Sequence, residues 1–138
     1  MFGPEAKKQS IRRKILVVDD EPDYLSAIQC RLEWCNYEVI TATNGREGLE
    51  KAETERPDLI LLDTNMPIMN GHDMLDQLRK HPDLKAMPVI MVTALFEMTD
   101  IVKASSYDVA DYVAKPFDFT ELVEKIANVL GNKKAFTK

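Results

Sequence analysis

Leu16-Val17-Val18-Asp19-Asp20-Glu21 is an apolar run that stops on adjacent carboxylates. The arrangement recurs along the chain. Asp63 ends Leu59-Ile60-Leu61-Leu62, Thr93 ends Val89-Ile90-Met91-Val92, and Lys115-Pro116 follows Tyr112-Val113-Ala114. Acids, a hydroxyl and an ammonium thus lie just past the ends of short buried segments. If these segments are parallel neighbours, the polar groups converge on one rim of a sheet.

Apolar runs occur near residues 15–18, 38–41, 59–62, 89–92 and 111–114, mostly Val, Ile, Leu or Tyr. Near-continuous apolar strands are what a parallel sheet covered on both faces requires. Helical patterns fill the gaps. Pro22 suits a first-turn position, with Leu25, Ile28 and Leu32 following at helical spacing. Asn44 can cap a helix that Pro57 stops, and Asn70-Gly71 precedes Met74, Leu75 and Leu78. A fourth helix is expected at about 97–106. For the last helix, Asp118 and Glu121 have capping-box spacing, Phe117 and Leu122 staple spacing, and Gly131 marks the end. Five strands alternating with five helices predict a (βα)5 α/β chain. Right-handed crossovers fold it into a three-layer sandwich around a five-stranded parallel sheet.

The 138 residues, 45% of them hydrophobic, provide one domain's worth of core. No apolar run approaches the ~20 residues that span a bilayer, and residues 1–14 lack a signal peptide's apolar stretch. Cytoplasmic residence without a membrane partner is therefore expected. Cys30 and Cys35 lie five apart in one helix, separated by about 7.5 Å of rise and roughly 140° of rotation, so they read as free thiols.

The net charge of −5 is unevenly spread. A basic N-terminal extension (1–13) and a basic C-terminal tail (132–138) flank the domain at 14–131. Removing the +4 of residues 1–14 and the +3 of 132–138 leaves −12 on the body. Such a body repels a phosphate backbone, so this domain itself is not expected to bind nucleic acid.

In an open parallel sheet of order 2-1-3-4-5, ligands bind beyond the carboxyl ends of strands one and three, where the order reverses. Those strands end in Asp19-Asp20 and Asp63. Crowded carboxylates raise one another's pKa values, and a hard divalent cation relieves the conflict. Mg²⁺ suits oxygen ligands, commonly one or two carboxylates plus a phosphate. Thr93 and Lys115 add a donor and a positive charge that suit the oxygens of a transferring phosphoryl group. A carboxylate between metal and lysine can be the nucleophile, giving an acyl phosphate.

Taken together, Asp19-Asp20-Glu21, Asp63 with Met66-Pro67 and Asn70-Gly71, Thr93-Ala94, and Asp111-Tyr112 to Lys115-Pro116-Phe117 resemble the receiver domain of two-component response regulators, of the chemotaxis-regulator type. The resemblance covers about 14–131. It implies a flavodoxin-like fold and phosphorylation of Asp63 by a histidine kinase or a histidine phosphotransfer protein. By position it implies Mg²⁺ held by the Asp20 and Asp63 carboxylates and the Asn65 backbone carbonyl, with Asp19 acting through a water. It also implies Thr93 and Lys115 on the phosphoryl oxygens, with Ala94 leaving room beside them. Thr93 and Tyr112 would form the switch pair, and Lys115-Pro116 a cis bond. A downstream protein or a second copy would read the fourth helix, fifth strand and fifth helix.

This chain departs from the family pattern at His72, Met69 and Asp108. His72 and His81 read as surface residues. Only seven residues follow Gly131, so the expectation is a stand-alone receiver or one cut from a longer regulator or hybrid kinase. Two other readings exist: a scaffold that is never phosphorylated, and an aspartate-nucleophile phosphatase. The second is opposed by Asn65, an amide where such enzymes place an acid/base carboxylate.

Overall fold

The computed structural model describes residues 12–94 and 109–131. Its strands are β1 (Lys14–Val18), β2 (Glu38–Ala42), β3 (Leu59–Asp63), β4 (Val89–Ala94) and β5 (Asp111–Lys115). Its helices are α1 (Pro22–Trp34), α2 (Gly45–Glu55), α3 (Gly71–Lys80) and α4 (Phe119–Leu130). Every strand pairing is parallel, in the order β2-β1-β3-β4-β5. The helix expected at 97–106 and the turn at Asp108 lie outside the described residues, as do most of the basic extension and the basic tail.

The sequence produces this sheet because its central strands are apolar on both faces. Side chains alternate along a strand, so each strand supplies two cores. Leu16, Val18, Ile60, Leu62 and Met91 pack with Met74, Leu75 and Leu78 of α3 and Ala52 of α2. Ile15, Val17, Leu59, Leu61 and Ile90 pack with Ile28 and Leu32 of α1 and Leu122 and Ile126 of α4. These central side chains are all buried, at about 1.5–3 kcal/mol for each large one removed from water. The edge strands β2 and β5 are mostly half-buried.

Local signals set the helix ends. The Asn44 side chain accepts the Glu47 amide and that of Asn70 accepts the Asp73 amide, each at 2.9 Å. Arg56 takes a left-handed conformation (φ 49°) that ends α2 ahead of Pro57. Gly131 does the same for α4 (φ 77°), where the lack of a Cβ removes the steric cost. Asp118 caps α4 through the Thr120 amide at 2.8 Å, whereas a capping box would use Glu121. The Glu121 carboxylate lies instead 4.0 Å from Lys125. His72 and His81 are both partly exposed, and His81 Nε2 lies 2.8 Å from Glu53. No helix among the described residues is long and apolar enough to cross a membrane.

Candidate functional site

Alternation decides which strand-end residues face which layer. Asp19, Asp63, Ala94 and Lys115 continue the rows of Val17, Leu61, Val92 and Val113, the face shared with α1 and α4. Thr64, Thr93 and Tyr112 fall on the opposite face, with Leu62, Met91 and the α2–α3 layer. Register then brings them level. Val18 pairs with Leu62, Asp63 with Val92, and Ala94 with Lys115. The Thr64 amide donates to Val92 O at 3.1 Å, carrying the ladder one residue past Asp63.

On the α1–α4 side, Lys115 Nζ lies 2.9 Å from Asp19 Oδ2, 2.8 Å from Glu21 Oε1 and 3.5 Å from Asp63 Oδ2. The Tyr24 ring covers it at 4.2 Å, a cation–π contact. Burial alone would depress the Lys115 pKa, but hydrogen bonds to Glu21 and Asp19 and the charges of Asp63 and Asp19 raise it above its ordinary value. The lysine is therefore a fixed positive charge.

Asp63 is shifted the other way. Burial and then the neighbouring Asp19 push its pKa from 3.8 to about 6, against the opposing pull of Lys115 and the Asn65 amide. One ammonium cannot neutralise this many acids, and the carboxylates repel one another. Asp19, Asp20 and Asp63 each bring an oxygen within 4.8 Å of the others. Asp20 is exposed and borders a cleft of about 360 Å³. An excess of hard oxygen donors at an open cleft fits Mg²⁺.

A family model described as the response regulator receiver domain matches residues 15–127. The chain belongs to this family. The receiver is 41% identical over 120 residues to the alkaline phosphatase synthesis transcriptional regulatory protein PhoP of Bacillus subtilis, covering 87% of this chain and 49% of that protein. The chain thus spans about half the length of the curated relatives it matches. Among solved structures it resembles the chemotaxis response regulator CheY4 of Vibrio cholerae (31% identity, TM-score 0.80, covering 86% of this chain and 99% of that one). It also resembles the receiver domain of a Pseudomonas aeruginosa sensor histidine kinase (28% identity, TM-score 0.79, covering 87% and 98%). That structure is described with a magnesium ion in its active-site cleft. The fold is therefore the flavodoxin-like one, as expected.

Within the receiver, Asp20, Asp63, Asn65, Ala94 and Lys115 line the cleft. Asp19 is buried beside them, holding the Glu21 amide at 2.9 Å through Oδ1 and Lys115 through Oδ2. Lys115-Pro116 is cis. Thr93 differs. It is fully buried and is not part of the cleft wall, and its hydroxyl accepts from that of Thr64 at 3.2 Å. Tyr112 is half-buried against the α2–α3 core, and that burial raises its pKa.

Three contributors have no role assigned from the sequence. Glu21 pairs with Lys115, Tyr24 stacks over it, and Thr64 lines the cleft. Thr64 is the one that strand parity alone could have found, since Asp63 opposite Val92 makes Thr64 and Thr93 neighbours on one face.

Proposed function

We propose that Asp63 accepts a phosphoryl group from a phosphohistidine on a histidine kinase or a histidine phosphotransfer protein. The single observation supporting this most is the joint placement of Asp63, three other carboxylates and Lys115 at one cleft. An Asp63 oxygen forms a bond to phosphorus as the phosphorus–nitrogen bond of the donor breaks. With its pKa at about 6, Asp63 is ionised above neutral pH, as a nucleophile must be. Lys115 is 3.5 Å from the acceptor and takes up charge on the phosphoryl oxygens. Ala94, half-buried at the cleft, leaves space beside them. Asp19, Asp20 and Asp63, with the Asn65 backbone carbonyl, would hold Mg²⁺. When bound, the ion supplies the positive charge that lets the carboxylates stay ionised beside a phosphate.

Thr93 and Tyr112 lie on the same sheet face on adjacent strands, a placement that supports the switch pair. Thr93 then turns to the phosphoryl group, and the surface of the 97–106 segment, β5 and α4 changes its affinity for a downstream protein or a second copy. The chain catalyses only its own phosphorylation and dephosphorylation.

Incubation with Mg²⁺ and acetyl phosphate is expected to add the mass of one phosphoryl group, stable in acid and labile in base. Chelation with EDTA should abolish the gain, and Lys115→Ala should slow it by more than tenfold, roughly the loss of one charge-assisted contact. Unchanged modification in EDTA would overturn the metal part of the proposal, and no modification under any of these conditions would overturn the whole. Turnover of a generic phosphoester would instead indicate the phosphatase.

A further inference from the structure

Thr64 follows the acceptor directly, and no step above uses its hydroxyl. The residue is 6% exposed, and Thr93 is fully buried. Their hydroxyls meet at 3.2 Å. The pairing is imposed by the sheet, because Asp63 opposes Val92 and the next residue on each strand points to the α2–α3 face. The cleft wall contains Thr64 and lacks Thr93. A phosphoryl group on Asp63 would sit in that cleft, and Thr93, which its wall lacks, would turn out of this arrangement to meet it.

We infer that Thr64 is a positioning residue for the switch, its hydroxyl donating to Thr93 and holding it in the resting arrangement until Thr93 turns to donate its own hydroxyl proton to a phosphoryl oxygen. The inference rests on the assignment of Asp63 as acceptor and of Thr93 as its phosphoryl ligand. Removing the Thr64 hydroxyl weakens the resting arrangement more than the phosphoryl-bound one, in which Thr93 has turned away. The competent fraction rises, and apparent affinity for a phosphoryl mimic rises with it.

The test titrates the full chain, saturated with Mg²⁺, with beryllium fluoride as a tetrahedral phosphoryl mimic, following amide NMR shifts. Thr64→Val keeps the branched shape and is expected to bind roughly fivefold more tightly, the ratio that one typical hydrogen bond corresponds to. Thr64→Ser restores the hydroxyl and is expected to return affinity towards the original. In a Thr93→Val background, the gain from Thr64→Val should be largely lost, since the partner it released is gone. Unchanged Mg²⁺ affinity reports that the site is intact, and Thr64→Ala carries the same test should the valine variant not fold.

Equal or weaker mimic binding by Thr64→Val, or an equal gain in the Thr93→Val background, would overturn the inference alone. An unsubstituted chain that binds Mg²⁺ but no beryllium fluoride would overturn the assignment of Asp63 and the inference with it.

Discussion

Asp63→Asn is expected to stabilise the metal-free receiver by about 3 kcal/mol above pH 7 and to leave its stability nearly unchanged near pH 4. The magnitude follows from the displacement of the Asp63 pKa from 3.8 to about 6. Each tenfold change in proton affinity corresponds to roughly 1.4 kcal/mol. The folded chain binds this proton more tightly than the unfolded chain does. The associated stability is therefore full below pH 3.8 and is lost as pH rises through about 6. Asparagine keeps the shape and carries no charge, so it escapes the loss. Lys115 is not stranded by the change, because Asp19 and Glu21 still hold it at 2.9 and 2.8 Å.

Urea unfolding in EDTA at pH 4 and pH 7.5 measures the difference. Mg²⁺ should narrow it, because ligand that binds only the folded state adds stability by mass action, and Asp63→Asn removes one of the proposed ligands. Equal stability of the two chains at pH 7.5 would show that neither burial nor the neighbouring Asp19 disfavours the Asp63 charge.

Gly71→Ala is expected to destabilise the receiver by about 1–3 kcal/mol and to weaken Mg²⁺ binding at the same time. The Gly71 amide closes the loop after β3 by donating to Thr64 O at 3.2 Å. A Cβ there would collide with the backbone oxygen of Asp63 and stand 2.9 Å from Thr64 Cα. These are main-chain atoms of the acceptor and its neighbour, so no side-chain rotation relieves the overlap. Alanine normally gains up to about 1 kcal/mol over glycine in a helix interior, and the clash exceeds that. Either α3 retreats or the acceptor moves. Thermal unfolding and Mg²⁺ titration read the two consequences, and an alanine variant matching the original in both would contradict this packing.

Much of the fold is legible because its central strands are buried on both faces, and such strands read as unbroken apolar runs. Asp19-Asp20, Asp63 and Lys115 were legible for a related reason. Each is a charged residue at the end of an apolar run, and parallel pairing aligns those ends. Asn44 and Gly131 are legible because capping is a local property of backbone and side chain, and the same chemistry puts Asn70 at the start of α3. Asp118 was read only in part, since its choice between the Thr120 and Glu121 amides depends on the entry angle of the chain. Glu21 and Tyr24 reach Lys115 through the docking of α1 against β5, more than 90 residues apart along the chain for Glu21. No spacing rule reports such a contact. Thr93 stands at a strand end like the charged groups, and only parity shows that it lies on the opposite face beside Thr64.

Borohydride converts an aspartyl phosphate to homoserine, which marks the modified residue permanently. After phosphorylation with Mg²⁺ and acetyl phosphate, reduction and peptide sequencing by mass spectrometry should place homoserine at position 63 and nowhere else. Homoserine at Asp19, Asp20 or any other carboxylate, with position 63 unchanged, would contradict the assignment of Asp63 as the acceptor.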